Sequence, residues 1–456
     1  MDTIFAVASG LQRAGVSIIR VSGPAALLTY KNLTHRPVPP PRMAVFGSFR
    51  VPAVADATDK NSGRGAPAGK LLDRGMVLFF EGPHSFTGED VIEYHVHGGT
   101  AVVRGFLDVL ARQPECRLAT PGEFTRRAFE NGKMDLTAAE AVADLIDAET
   151  EAQRVQALDQ LGGNLARLYE GWAENLKKIL AHQEADIEFP EEDMPAQVSE
   201  KLKPEIMNLI KEMRGHLDDG HRGEWLRNGV LIAILGAPNA GKSSLLNALA
   251  RRDVAIVSEE AGTTRDIIEA HLDLGGYPVI LADTAGLRAT ESKIEAEGIR
   301  RARKLAGEAD IKVVLFDSTQ PPDNETFAVL DNNPIIVLTK SDLPSQSSAQ
   351  IQAFAGMTVV SASSKTDTGC DALLKVLTEK VTGLFAPRNG PSLTRERHRL
   401  ALEETITALE RSLVATLPEL AAEDLRLSLR SLGAITGTVH VEELLDRVFK
   451  DFCIGK

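Results

Sequence analysis

The run Gly236-Ala-Pro-Asn-Ala-Gly-Lys-Ser243 most constrains what this chain can fold into, because it lies between an apolar stretch, Val230–Leu235, and a helix-forming stretch, Leu245–Leu249. Strand, glycine loop and helix in that order form a phosphate cradle. The glycines let backbone N–H groups turn inward without a Cβ clash, Lys242 reaches the β/γ-phosphates, and Ser243 places a hydroxyl on Mg²⁺. Ala240, Gly241 and Ser244 belong to the same cradle, so a nucleoside triphosphate is the first ligand to expect. Asn239 is explained as well by a turn as by a binding role.

Two further apolar runs select the nucleotide. Pro278–Ala282 leads into Asp283-Thr284-Ala285-Gly286, where Asp283 can hold Mg²⁺ through water and the Gly286 N–H can meet a γ-phosphate. Ile335–Leu338 leads into Thr339-Lys340-Ser341-Asp342. There Asp342 can accept hydrogen bonds from N1–H and the 2-amino group of guanine, which adenine lacks, so the substrate is expected to be GTP. Ser361-Ala362, after Val359-Val360, supplies a backbone contact for the guanine oxygen. Over residues 226–385 this order resembles the translation-factor class of GTPases. That class has Asn where this chain has Thr339, which weakens an expected base-side hydrogen bond while keeping the aspartate.

The residue after Gly286 is Leu287, where Ras-like enzymes use a glutamine to orient the attacking water. An apolar side chain cannot do this. Gly262–Asp266 reads as a first switch with Thr264 on Mg²⁺. Glu291, Glu295 and Glu297 are equally placed in a second switch to position water.

A chain of 456 residues, 43% of them hydrophobic, exceeds what one core organises, and two or three domains are expected. Cys116, Cys370 and Cys453 have neither disulfide nor metal-ligand spacing. No apolar run approaches the roughly 18 residues of a membrane span, and the start lacks a basic leader, so a cytoplasmic protein with no membrane association is expected. The net charge of −13 argues against a broad electrostatic grip on nucleic acid. Arg300, Arg301, Arg303 and Lys304 read as a solvated helix face.

Residues 1–133 mix short β-branched runs, Val16–Val21 and Met76–Phe80, with turn-rich links and read as a small α+β domain. Residues 134–225 read as helical. Thr137-Ala-Ala-Glu140 has the form of a capping box, and Leu161, Leu165, Leu168, Trp172, Leu176 and Ile179 repeat at steps of three and four. Helical pattern returns over 386–456, from Leu393 to Phe452. The expected architecture is a multi-domain α/β chain in which a P-loop GTPase domain, 226–385, is inserted in an α-helical domain. Switch movements would then reach the helices at both chain crossings.

Pro83–Glu93, His97-Gly-Gly99, Pro121–Arg126, Asn131–Leu136, Phe189–Asp193, Leu432–Gly437 and the terminal Phe452-Cys-Ile-Gly-Lys456, combined with the inserted GTPase, resemble the MnmE (TrmE) family of bacterial tRNA modification GTPases from end to end. The resemblance implies a homodimer whose amino-terminal domain binds 5,10-methylenetetrahydrofolate or 5-formyltetrahydrofolate. It implies a heterotetramer with an FAD-containing partner of the MnmG (GidA) type, which adds a carboxymethylaminomethyl group to wobble uridines of certain tRNAs. Carried over, the folate site falls on Arg20, Glu93, Lys133 and Lys456, with Cys453 either a possible catalyst or a packed thiol. In the GTPase, the resemblance implies K⁺ at Asn239 with the loop around Ser258, Glu260 and Thr263, and Glu295 orienting the water. A ribosome-assembly GTPase would be expected to carry a basic RNA-binding domain, which this composition lacks. A folate transferase unrelated to tRNA would leave the GTPase idle.

Overall fold

The computed structural model describes the chain apart from residues 1, 11, 53–68, 189–197, 253, 257–267, 284–303, 329, 331–333, 345–353, 386–389, 440, 441, 451 and 456. It divides into two compact units, Met1–Ala143 with Leu432–Lys456, and Asp144–Ser431.

The first unit is built on a six-stranded sheet ordered β3-β4-β5-β2-β1-β6, from β1 (Thr3–Val7), β2 (Ala14–Ser22), β3 (Val45–Arg50), β4 (Leu71–Phe80), β5 (Val91–Gly98) and β6 (Cys116–Leu118). Period-2 alternation sorts the side chains of β2. Ile19 and Val21 enter a core with Phe5, Phe49, Tyr94, Phe106 and Leu110, beneath α1 (Ala26–Thr34) and α2 (Thr100–Ala111), and Arg20 points to the other face. Phe49, Tyr94 and Phe106 meet there with ring centroids 5.1–5.6 Å apart.

Beyond the sheet, α3 (Glu123–Glu130), the start of α4 (Leu136–Ile146) and the C-terminal α14 (Glu442–Lys450) share a small core of Phe129, Leu136, Leu445, Phe449 and Phe452. Glu123 accepts from Arg117, Arg127 and the Thr120 N–H. Although burial opposes ionisation, these bonds hold its carboxyl down at about 2.

The expected cap of α4 is corrected. Thr137 lies inside the helix, and Asp135 is the capping residue: its Oδ1 accepts from the N–H groups of Thr137 and Ala138 at 2.7 and 3.1 Å. An aspartate two residues upstream outcompetes the threonine because its carboxylate reaches both donors at once. The capping box is found instead at Thr150 and Gln153, opening α5 (Glu151–Leu161).

The second unit holds a seven-stranded sheet ordered β13-β12-β11-β7-β10-β9-β8. Strands β7 (Val230–Gly236), β10 (Tyr277–Asp283), β11 (Ile311–Asp317), β12 (Ile335–Thr339) and β13 (Thr358–Ser361) run parallel. Antiparallel β9 (Ile268–Leu274) and β8 (Ala255–Ile256) close one edge. Central β7 is an apolar run because both sheet faces are covered. One face packs on α9 (Lys242–Leu249) and α11 (Cys370–Leu384); the short α10 (Asn324–Phe327) lies on the other.

The remaining helices are α6 (Asn164–Glu188), α7 (Val198–Leu217), α8 (Arg222–Asn228), α12 (Glu396–Val414) and α13 (Pro418–Thr436). Leu165, Trp172, Leu176 and Ile179 form the buried stripe of α6, with Leu168 half-buried at its margin. Leu161 is corrected out of that stripe: Gly162-Gly163 ends α5 before α6 begins, and Leu161 is exposed. No described helix is long and apolar enough to cross a membrane.

Candidate GTP and folate sites

The phosphate loop joins β7 to α9. Gly236 and Gly241 have φ of 147° and 94°, and a Cβ at Gly236 would stand 2.6 Å from the Leu315 carbonyl, so this turn needs glycine. Lys242, the first residue of α9, is buried, and its ammonium donates to the Gly236 and Ala237 carbonyls at 2.8 and 2.9 Å. Burial lowers its pKa, against the opposing field of Asp283 and Asp323. Ser243 donates to Oδ2 of buried Asp283 at 2.6 Å, from the first turn of α9 to the end of β10. A hydroxyl and a buried carboxylate together are the hard oxygen donors that Mg²⁺ takes, so the residues fit that ion. Asn239 is exposed at the loop's crest with φ of 64°, a conformation asparagine tolerates. Ala240 is buried and Ser244 exposed in the same segment.

The base-reading residues converge from the ends of β12 and β13. Asp342 accepts from Ser363 Oγ at 2.7 Å, which fixes one carboxylate oxygen. Lys340, with φ of 57°, donates to Asp317 at 2.6 Å. Burial alone would raise Asp317, but Lys340 and Thr319 hold its pKa below the ordinary range. The Thr339 hydroxyl is turned away from the base side and donates to the Ala240 carbonyl at 2.7 Å. Its replacement of asparagine therefore bears on the phosphate loop. Within the sheet, the Ala362 N–H donates to the Leu338 carbonyl at 2.9 Å, and Ser361 ends β13; a guanine oxygen reaching Ala362 meets a donor shared with the sheet.

Ser363 and Asp317 were not singled out from sequence. The run ending at Asp317 carries the same signal as the one ending at Asp283: a buried strand that stops on a carboxylate. Ser258, Glu260, Thr263, Thr264, Thr284, Ala285, Gly286, Leu287, Glu291, Glu295, Glu297, Arg300, Arg301 and Arg303 lie outside the described residues. Lys304 is exposed and pairs with Glu308 at 3.6 Å.

In the first unit, cross-strand neighbours Arg20 and Glu93 form an ion pair of 2.9 Å, with His95 3.6 Å from the second carboxylate oxygen. The Arg20 guanidinium stands over Phe86 and Phe124, 5.4 and 5.7 Å from their ring centres. Those two aromatics are a further addition from the structure. Lys133 donates to the Pro83 carbonyl at 2.8 Å, at the loop leading into β5. A half-buried carboxylate beside a guanidinium and two aromatic faces suits a flat heterocycle bearing adjacent N–H donors, so the residues fit a pterin. Cys453 is exposed, and its carbonyl accepts from the Gly122 N–H at 3.3 Å, two residues before Phe124. Gly455, with φ of 102°, is buried against β1, where an added Cβ would stand 2.1 Å from the Val7 carbonyl. Lys456 and the Phe189–Asp193 motif lie outside the described residues.

Residues 136–453 match the family model described as the MnmE helical domain, and residues 3–133 the one described as the GTP-binding protein TrmE N-terminus. The tRNA modification GTPase MnmE of Paramagnetospirillum magneticum is 50% identical, with 100% of each chain covered. That of Parvibaculum lavamentivorans is 48% identical, again over 100% of both. The mitochondrial 5-taurinomethyluridine-[tRNA] synthase subunit GTPB3 of Danio rerio is 45% identical, over 100% of this chain and 93% of that one. With such identity along its whole length, and a phosphate loop and guanine-side carboxylate on one parallel sheet, the chain belongs to the MnmE (TrmE) family of tRNA modification GTPases.

Proposed function

We propose that this GTPase acts as a cytoplasmic homodimer which, in a heterotetramer with an FAD-containing partner of the MnmG type, adds a carboxymethylaminomethyl group to C5 of the wobble uridine of certain tRNAs. The one-carbon unit comes from 5,10-methylenetetrahydrofolate or 5-formyltetrahydrofolate. The observation that carries the nucleotide half is the Ser243–Asp283 bond of 2.6 Å, which brings both Mg²⁺-side oxygens together beside the buried Lys242. Mg²⁺ supplies charge neutralisation at the β- and γ-phosphates when bound. Ser243 and Thr264 would ligate it directly and Asp283 through water. Gly241 and its neighbours offer N–H groups, Asp342 reads guanine in a position set by Ser363, and Ser361-Ala362 meet its oxygen.

Hydrolysis is proposed to be potassium-dependent. Asn239, with Ser258, Glu260 and Thr263, would hold K⁺ where other GTPases place an arginine finger, and Glu295 would orient the water. The four-part organisation, 1–133 for folate and dimerisation, 134–225 and 386–456 for the helical domain and 226–385 for the GTPase, belongs to the same proposal. Glu93 would pair with pterin N–H donors. Arg20, Lys133 and Lys456 would meet folate carbonyls or carboxylates, with Cys453 a possible catalyst. That the fish relative is named a synthase subunit supports a partner chain here. Nucleoside analysis of tRNA from a strain lacking this protein tests the proposal: hypomodified wobble uridines are expected, and unchanged ones would overturn it.

A further inference from the structure

One short segment at the end of α4 and the start of α5 touches the nucleotide-binding sheet's connections at three separate places. Asp144, nearly buried, accepts at one oxygen from two arginines, Arg227 Nε at 2.9 Å and Arg395 at 2.7 Å. Arg227 is the penultimate residue of α8, just ahead of β7. Arg395 is the N-cap residue of α12, where the chain has left the nucleotide-binding fold. Chain entry and chain exit therefore meet on a single carboxylate. Gln153, already part of the α5 capping box, donates to the Arg227 carbonyl at 3.2 Å.

The third contact is with the β9–β10 hairpin. Ala152, whose N–H belongs to the unpaired first turn of α5, donates to the Gly276 carbonyl at 3.2 Å, and Glu149 lies 3.1 Å from the His271 ring. From this turn β10 runs without interruption to Asp283, and β9 begins where the first switch sequence ends. The turn is also held at the C-terminal end of α11, where Tyr277 stacks on the capping residue Phe385 with centroids 4.2 Å apart and planes 5° apart.

We infer that Asp144–Gln153 is the coupling element of this GTPase, with Asp144 a positioning residue that ties chain entry, chain exit and the hairpin between the two switches to the helical scaffold. A shift of β10 at Asp283 is carried along a strand held at its far end by α5, and so bears on the same segment that clamps both crossings. This rests on the proposal that GTP hydrolysis drives wobble-uridine modification. The two arginines held by Asp144 are neither nucleotide nor folate residues, so its loss should separate the two activities.

The test places Asp144→Asn in the full-length protein at its native gene, with GTP hydrolysis measured on the purified variant and wobble-uridine modification read by nucleoside analysis. Expected are a kcat and KM for GTP within about two-fold of the parent and a modification level reduced on the order of ten-fold. Asp144→Glu should restore part of it. Normal modification, or hydrolysis and modification falling in parallel, would overturn the inference. Should Asp144→Asn fail to fold, Glu149→Gln, at a half-exposed pair, carries the same test with a smaller expected loss and the same overturning result. Lys242→Ala separates the two levels of argument: modification persisting without hydrolysis would sink the functional proposal itself, whereas loss of both in Lys242→Ala beside normal modification in Asp144→Asn sinks only the coupling role.

Discussion

Thr339 donates its hydroxyl to the carbonyl of Ala240, tying the loop that reads the base to the loop that holds the phosphates across a 2.7 Å bond. Both residues are buried, so the carbonyl has no ready substitute in water. Replacing Thr339 with valine keeps the shape and removes the donor, at about 1 kcal/mol. GTP affinity is expected to fall roughly five-fold through faster dissociation. Stopped-flow nucleotide release checks this; an unchanged rate would show that the bond is incidental to binding.

Asn239 stands exposed at the crest of the phosphate loop, where a monovalent ion can reach its amide oxygen. GTP hydrolysis should be much faster in K⁺ than in Na⁺ at equal ionic strength, and Asn239→Ala should abolish the difference. Equal rates in both salts would remove the potassium assignment.

Leu287 leaves no glutamine to orient the attacking water, and Glu295 is proposed for that role. Glu295→Ala should keep GTP affinity nearly unchanged, while turnover drops by on the order of 10²–10⁴. Ordinary turnover in the variant would return Glu295 to the class of solvated glutamates.

The C-terminal tail is held by fit rather than by area. Phe452 is buried, Cys453 and Ile454 are exposed, and Gly455 occupies a left-handed conformation against the Val7 carbonyl. Gly455→Ala has no room for its methyl group and should lift the tail. Tetrahydrofolate affinity, read by calorimetry, is expected to collapse with GTP hydrolysis unaltered. Full folate affinity would exclude the tail from that site.

His216 sits on α7 against Tyr169 and Trp172, its Nε2 3.3 Å from the Tyr169 hydroxyl. Burial, aided by His398 and Arg399 and opposed by Asp219, brings its pKa from 6.5 down to about 4. Between those values the unfolded chain binds more protons than the folded one, so stability rises with pH and is lost as pH falls through the window, by on the order of 1–3 kcal/mol. Thermal midpoints from pH 7 to pH 4 should fall less steeply for His216→Phe than for the parent. Parallel curves would assign the acid sensitivity elsewhere.

What could be read from the chain alone were the features with a local signature. The phosphate loop is contiguous, the runs ending at Asp283 and Thr339 are strands buried on both faces, and the α6 stripe has a helical period. Where two local signals competed, pattern was insufficient: Asp135 displaced Thr137 as cap, and a Gly-Gly pair cut Leu161 from the stripe it continued. Contacts set by topology left no trace in the string. Ala240 and Thr339 are 99 positions apart, and Asp144 meets Arg395 over 251. Neither pairing is visible until the strand order is known.

The first compact unit combines Met1–Ala143 with Leu432–Lys456, and this discontinuity governs the order of biosynthesis. All six strands of its sheet lie within residues 3–118, far ahead of α14 and of Phe452, which complete the small core of Phe129 and Leu136. Domains generally fold as they emerge, yet the core of Phe129 and Leu136 is completed by Leu445, Phe449 and Phe452, which are made only after the whole of Asp144–Ser431. Substitutions that empty Leu445, Phe449 or Phe452 from this core would therefore open the first unit while leaving every strand of the nucleotide-binding sheet in place.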